Sequence, residues 1–223
     1  MSVSENIHTV QKQILDAASF GARPPEDIHL VAVSKKQPDE RINEALEAGH
    51  RLFGENRVQE AQGRWLQRRD QYHDLKLHLI GPLQTNKAKE AVALFDVIET
   101  LDREKLARVL KKEMDAQGRN LPCFIQVNTG EEEQKAGITP QALEDFYHFA
   151  TREIRLTIQG LMCIPPVDEA PGVHFALLVQ YAKKLGLKDL SMGMSADFEK
   201  AIALGATYVR VGTGVFGARD VIL

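Results

Sequence analysis

The strongest constraint in this sequence is a rhythm. Short runs rich in Val, Ile and Leu alternate with stretches of helical, amphipathic period, and the alternation recurs eight times. The apolar runs fall at 29–34 ("HLVAVS"), 50–55 ("HRLFGE"), 75–81 ("LKLHLIG"), 95–100 ("FDVIET"), 123–128 ("CFIQVN"), 156–163 ("LTIQGLMC"), 189–194 ("DLSMGM") and 207–212 ("TYVRVG"). Helical patterns lie between them. Residues 39–49 carry Ile42, Ala45 and Leu46 and close on Gly49; residues 102–118 carry Leu106, Val109 and Leu110 and close on Gly118. Residues 140–153 open with Pro140 after Thr139, and residues 196–205 end at Gly205. A further helix over about residues 4–19 precedes the first run.

Strand then helix, repeated, means parallel strands joined by crossover helices. Eight such units in 223 residues predict an α/β fold, a closed (β/α)8 TIM barrel in one domain over residues 1–223, with an extra N-terminal helix. That helix packs outside the barrel or caps its bottom. Composition narrows the function classes. With 28 Lys and Arg against 31 Asp and Glu the net charge is −3, which gives no footprint for nucleic acid. No apolar run reaches the length of a membrane span, and the polar start "MSVSENIHTVQKQ" lacks the apolar stretch of a secretory signal. Cys123 and Cys163 sit inside apolar runs and read as buried, reduced thiols, which suits the cytoplasm. The seven histidines are scattered, and no spacing resembles a metal site.

Barrels of this kind place their sites at the C-terminal ends of the strands. Those ends carry Ser34-Lys35-Lys36, Gly54-Glu55-Asn56, Ile80-Gly81-Pro82, Thr100, Asn128, Met162, Ser195 and Arg210-Gly212-Thr213. Phosphate often binds after strands seven and eight. Ser195, Gly212 and Thr213 there form a phosphate cradle, or else Gly212, Gly214 and Gly217 make turns and Ser195 caps a helix. Alternation puts Val209 and Val211 on the helix side and sends Arg210 into the barrel mouth, where a guanidinium must have a partner; the plainer alternative is a salt bridge to a barrel carboxylate such as Glu55. An amine opposite a phosphate cradle is how a Schiff-base site is built, and inward Lys35 places the branched Val31 and Val33 in the barrel. Lys36 inward would place Leu30, Ala32 and Ser34 there, so parity leans to Lys35. The acidic "GEEEQKAG" loop reads as solvated, "RWLQRRD" as a basic helix face, and Trp65 and Phe198 as core or rim residues.

"AVSK", "FGENRVQE", "HLIGPLQTNK", "GLMCIPP", "LSMGMSADFEKAI" and "VRVGTGVFGAR" resemble the motifs of the pyridoxal phosphate homeostasis protein family, from about residue 28 to 219. That family is similar to the N-terminal barrel domain of alanine racemase, a fold-type III arrangement for pyridoxal 5′-phosphate (PLP). The resemblance implies that Lys35 holds PLP as a Schiff base and that Asn56 lies beside its ring. It implies that Ser195, Gly212 and Thr213 hold the phosphate, that Arg210 faces the pyridine nitrogen, and that Ile80 and Met194 line the ring pocket. It further implies a monomer or weak dimer, PLP-dependent apoenzymes as partners, and a role in homeostasis of vitamin B6 and amino acids without established catalysis. An amino-acid racemase-like enzyme is the alternative. Arg57 stands where an aromatic residue is common in the family.

The chemistry of the implied site favours holding over turnover. Arginine stays protonated and cannot hand the pyridine nitrogen a proton, so the ring is a weak electron sink. Racemization needs a second acid or base on the opposite face, which the racemase takes from its C-terminal domain and partner subunit. The chain ends at Leu223, just past the barrel, so no such domain is expected.

Overall fold

In a computed structural model, which describes residues 1–218, all eight expected strands form and close on one another. They are β1 (His29–Val33), β2 (Leu52–Glu55), β3 (Lys76–Leu79), β4 (Val97–Leu101), β5 (Cys123–Val127), β6 (Ile158–Cys163), β7 (Asp189–Met194) and β8 (Tyr208–Val211). Every neighbouring pair is parallel, and β8 returns to β1 with Val31 opposite Arg210. The expected (β/α)8 barrel is the observed one.

The helices are α1 (Val3–Phe20), α2 (Asp39–Glu47), α3 (Val58–Gln71), α4 (Ala88–Leu94), α5 (Glu104–Gln117), α6 (Leu143–His148), α7 (Pro171–Leu185), α8 (Phe198–Leu204) and a single turn, α9 (Thr213–Phe216). Residues 140–153 are not one regular helix. A 3₁₀ turn (Pro140–Ala142) leads into α6, and a π-turn (Phe149–Glu153) follows it. The amide of Ile154 bonds the Phe149 carbonyl at 3.0 Å, and the widened turn lets both Phe149 and Ala150 bury.

The N-terminal helix is not an accessory. Ser2 and Glu5 cap it reciprocally, and its Val3, Ile7, Val10, Ile14, Ala17 and Ala18 are buried in the main core. It packs outside the barrel between α8 and α2, over α9. A barrel needs a helix over the seam between its last strand and its first. Here α9 has only four residues, and α1 covers that seam from the other end of the chain. Asn6 Nδ2 donates to the Val215 carbonyl at 3.0 Å and the Val3 amide donates to Glu44 Oε1 at 2.7 Å, which tie α1 to α9 and α2.

Strand alternation separates two cores. Leu30, Ala32, Phe53, Leu77, Val209 and Val211 join the helices in the outer core. Val97, Phe124 and Met162 form a separate cluster inside the barrel, closed by the ring of Tyr208. Tyr208 stacks on His29, His78 and Phe124 at ring distances of 4.8–5.5 Å and fills the lumen toward the strands' N-terminal ends. The mouth at the other end stays polar.

Candidate functional site

The site is built where β1 ends. Val33 is followed by Ser34-Lys35-Lys36-Gln37, a tight turn closed by the Gln37 amide on the Ser34 carbonyl at 3.1 Å. Lys36 sits at φ 57°, in left-handed backbone, and is exposed, whereas Lys35 is half-buried. The turn is fixed from behind. Ser34 Oγ donates to Glu55 Oε1 at 2.7 Å, and the same oxygen accepts from Arg64 Nη1 at 2.8 Å and Trp65 Nε1 at 3.0 Å. Glu55 therefore lies on the helix side of β2, in step with Phe53. The alternative that pairs Glu55 with Arg210 is ruled out: parity sends Gly54, not Glu55, into the barrel, and Arg64 takes the carboxylate. "RWLQRRD" is accordingly more than a basic face, and Trp65 is a fully buried core residue.

Asn56, half-buried, follows β2, and together with Lys35, Lys36, Arg57 and Glu60 it lines a cavity of about 220 Å³. The end of β3 is pressed against it. A Cβ on Gly81 would lie 2.3 Å from the Asn56 carbonyl oxygen, so only glycine allows this approach. Ile80 is buried and points inward beside Gly54 and Val31.

Across the mouth, β7 and β8 bring Met194, Ser195, Gly212 and Thr213 together. Gly193, at φ 90°, turns the chain under Phe198 and Ala201. The Met194 amide donates to Asp197 Oδ1 at 2.6 Å, which leaves Ser195 at the tip of the loop. The Gly212 amide donates to Ser195 Oγ at 3.3 Å. Ser195 and Thr213 are exposed, and this long bond to a solvated hydroxyl is one that an anion can replace. Arg41, from α2, holds the end of the turn that follows Gly212 by donating to the carbonyls of Phe216 and Ala218. The motif's last residue, Arg219, lies outside the described residues.

Below the mouth is Arg210, buried and inward as alternation requires. Nη1 donates to Ser191 Oγ at 2.6 Å, Nη2 donates to the Cys163 carbonyl at 2.8 Å, and Glu99 Oε2 lies 3.9 Å from Nη1. Glu99 is fully buried in the lumen. It meets His78 Nδ1 at 2.6 Å and accepts from Ser191 Oγ at 2.5 Å. Burial works to raise its pKa, but the His78 and Ser191 hydrogen bonds and the charge of Arg210 outweigh that and hold it below the usual carboxylate value. Sequence reasoning singled out neither His78, Glu99 nor Ser191. The available signal was a polar residue at an inward position in the middle of an apolar run.

The acidic loop after β5 is not simply solvated. Asn128 Nδ2 donates to the Glu132 carbonyl at 2.8 Å, and Lys135 pairs with Glu132 and donates to the Pro165 carbonyl at 3.2 Å. Cys123 and Cys163 are free, buried thiols, pushed up to about 12 by burial. Among the described residues no helix is long and apolar enough to cross a membrane, and no group of three or more His, Cys, Asp or Glu is placed to hold a metal ion.

A parallel barrel with a lysine after its first strand and a hydroxyl-glycine cluster after its last two defines a class. The family model for the alanine racemase N-terminal domain matches residues 21–220. Proteins named Pyridoxal phosphate homeostasis protein from Vibrio cholerae and Escherichia coli K12 are 40% and 39% identical, each over 98% of this chain and 97% of its own length. The chain belongs to the pyridoxal phosphate homeostasis protein family. PipY of Synechococcus elongatus, solved without PLP, superposes with a TM-score of 0.87 at 37% identity over 97% of this chain and all of that one. PipY with PLP bound gives 0.83 at 34% identity over the same shares. Alanine racemase of Clostridium difficile shares the fold, with a TM-score of 0.72 at 12% identity over 98% of this chain and 58% of the racemase.

Proposed function

We propose that this chain, as one barrel domain over residues 1–223, binds pyridoxal 5′-phosphate and serves its intracellular homeostasis. In this reading it holds the cofactor and turns nothing over. The observation that carries the reading is the convergence, at one end of the barrel, of Lys35 after β1 with the Ser195–Gly212 contact after β7 and β8, above inward-facing Arg210. Lys35 binds the aldehyde as a Schiff base. The Ser195 hydroxyl, the Gly212 amide and the Thr213 hydroxyl hold the phosphate. Arg210 faces the ring nitrogen, and Asn56, Ile80 and Met194 line the ring. The PLP-bound PipY structure and the names of the full-length relatives support PLP as the ligand. A guanidinium with permanent charge gives the ring no proton, which suits storage of a reactive aldehyde and delivery to apoenzymes in the cytoplasm.

The test is spectroscopic. Purified protein supplied with PLP gains a visible absorption band that borohydride reduction removes. Lys35→Ala abolishes the band and Lys36→Ala keeps it. Protein that stays colourless with added PLP overturns the reading. Loss of optical purity when holo-protein is incubated with a single amino-acid enantiomer would instead support a racemase-like enzyme.

A further inference from the structure

We propose that Glu99 is a positioning residue for Arg210, acting through the Ser191 hydroxyl to fix the guanidinium across the barrel lumen. The role of Arg210 toward the ring rests on the PLP reading above; the placement of Arg210 itself does not.

The argument is one of direction. Strands β4 and β7 are not neighbours in the barrel, so the bond between Glu99 and Ser191 crosses the lumen. A carboxylate is an acceptor only. Because Glu99 is held in its ionised form, its short contact with His78 Nδ1 requires the proton on that nitrogen, and its contact with Ser191 requires the hydroxyl to donate. Ser191 Oγ is then left with lone pairs alone for its other neighbour. Arg210 Nη1 supplies the matching donor at 2.6 Å. The Cys163 carbonyl takes Nη2 and fixes the second arm of the fork. Four strands, β3, β4, β7 and β8, thus feed one directed chain, His78 to Glu99 from one side and Arg210 to Ser191 to Glu99 from the other. A neutral amide in place of Glu99 removes the direction. It can donate to Ser191 Oγ, the hydroxyl can turn away, and the lone pair that Arg210 uses is contested. It also leaves the charge of Arg210 uncompensated.

His78, Tyr208 and Arg210 face Glu99, and the buried thiol of Cys163, itself near Asp197, faces Arg210. Below them lie Val97, Phe124 and Met162, which offer no substitute partner. A purely space-filling role would be served by any satisfied polar set and would not depend on the charge of Glu99.

The test has two arms. In the first, the ligand-free Glu99→Gln protein is crystallised. The expected result is an Arg210 whose Nη1 has left Ser191 Oγ; an unchanged pair of bonds to Ser191 and Cys163 overturns the proposal. If Glu99→Gln does not fold, Ser191→Ala, which keeps the charge of Glu99 but removes the lone pair, serves instead: the expected result is a guanidinium shifted from its wild-type place with Nη2 off the Cys163 carbonyl, and a guanidinium that stays in place overturns the proposal. In the second arm, PLP-loaded protein is titrated and the visible band followed. Glu99→Gln lowers the midpoint of the lysine linkage by about one pH unit, because the positive charge near the ring is no longer offset. The shift disappears when Glu99→Gln is made in an Arg210→Gln background, as coupling through Arg210 demands. An equal shift in both backgrounds overturns the proposal. Wild-type protein that takes up no PLP sinks the cofactor reading alone, and the crystallographic arm still decides the role of Glu99.

Discussion

Arg64 reaches from α3 to the carbonyl oxygen of Ser34 at 3.0 Å, and so the turn that carries Lys35 is held from outside the barrel. The same guanidinium bonds the Gln37 carbonyl at 3.0 Å and Glu55 Oε1 at 2.8 Å. One side chain thereby grips both ends of the turn and neutralises a carboxylate that has no exposed surface. The candidate lysine is presented by a rigid support behind it, while its own side faces the mouth.

Removing that support has a large expected cost. Arg64→Ala leaves the Glu55 charge buried without its partner, a loss of about 3–5 kcal/mol. Arg64→Lys falls between wild type and Ala, because an ammonium's three donors radiate from one atom and do not match acceptors spread across a planar fork. Urea unfolding measures both. An Arg64→Ala protein within about 1 kcal/mol of wild type would show that the buried pair does not hold the turn.

Two glycines make a matched pair. Gly81→Ala drives a methyl into the Asn56 carbonyl, only 2.3 Å away, so β3 or the Asn56 segment must move. The expected result is a markedly lower urea midpoint together with weakened PLP uptake. Gly63, inside α3, has nothing within 4 Å of its added Cβ. Gly63→Ala is expected to stabilise by about 0.5–1 kcal/mol through helix propensity. Equal effects of the two substitutions would contradict the contact at Gly81.

Much of this architecture was legible because strands and helices write different periods. The run 29–34 and the helical pattern 39–49 alternate cleanly, and β1 and α2 form within a residue or two of those bounds. Parity also placed Val31 and Val33 inside and Val209 and Val211 outside. What escaped were relationships between distant segments. No local pattern says that α1 will cover the seam that a four-residue α9 leaves open. Glu55, in step with buried Phe53, points outward by the same parity, so it meets Arg64 and Trp65 rather than Arg210. The true partners, Ser191 and Glu99, lie on strands 92 residues apart in sequence, and only barrel closure brings them together.

Acid stability separates two carboxyls shifted in opposite directions, buried Glu99 and half-buried Asp102. Glu99 is held below its ordinary value of 4.5, so it contributes stability above that pH, and this stability is lost as pH falls through its lower folded value. Asp102 is pushed above its ordinary 3.8, chiefly by burial and against the pull of Arg103. Its ionisation therefore costs stability at neutral pH, and the cost is relieved as pH falls through its raised value. Stability measured by urea unfolding from about pH 7 down to about pH 3 is expected to decline less steeply in Glu99→Gln than in wild type, and more steeply in Asp102→Asn. Parallel curves for all three proteins would show that neither carboxyl is shifted.

The two thiols report on opening of the barrel. Cys123 and Cys163 are both buried, and burial pushes each up to about 12. The thiolate is the reactive form. At about pH 8 the folded protein therefore holds on the order of 10⁻⁴ of either cysteine as thiolate, and that fraction is shielded from solvent as well. An aromatic disulfide reagent is expected to label native protein only as fast as the barrel opens and to label both cysteines promptly in denaturant. Arg64→Ala, by lowering global stability, should raise the native labelling rate in proportion to its unfolding equilibrium. Immediate labelling of one thiol per chain in native wild type would mean that a strand bearing it, β5 or β6, opens independently of the rest of the barrel.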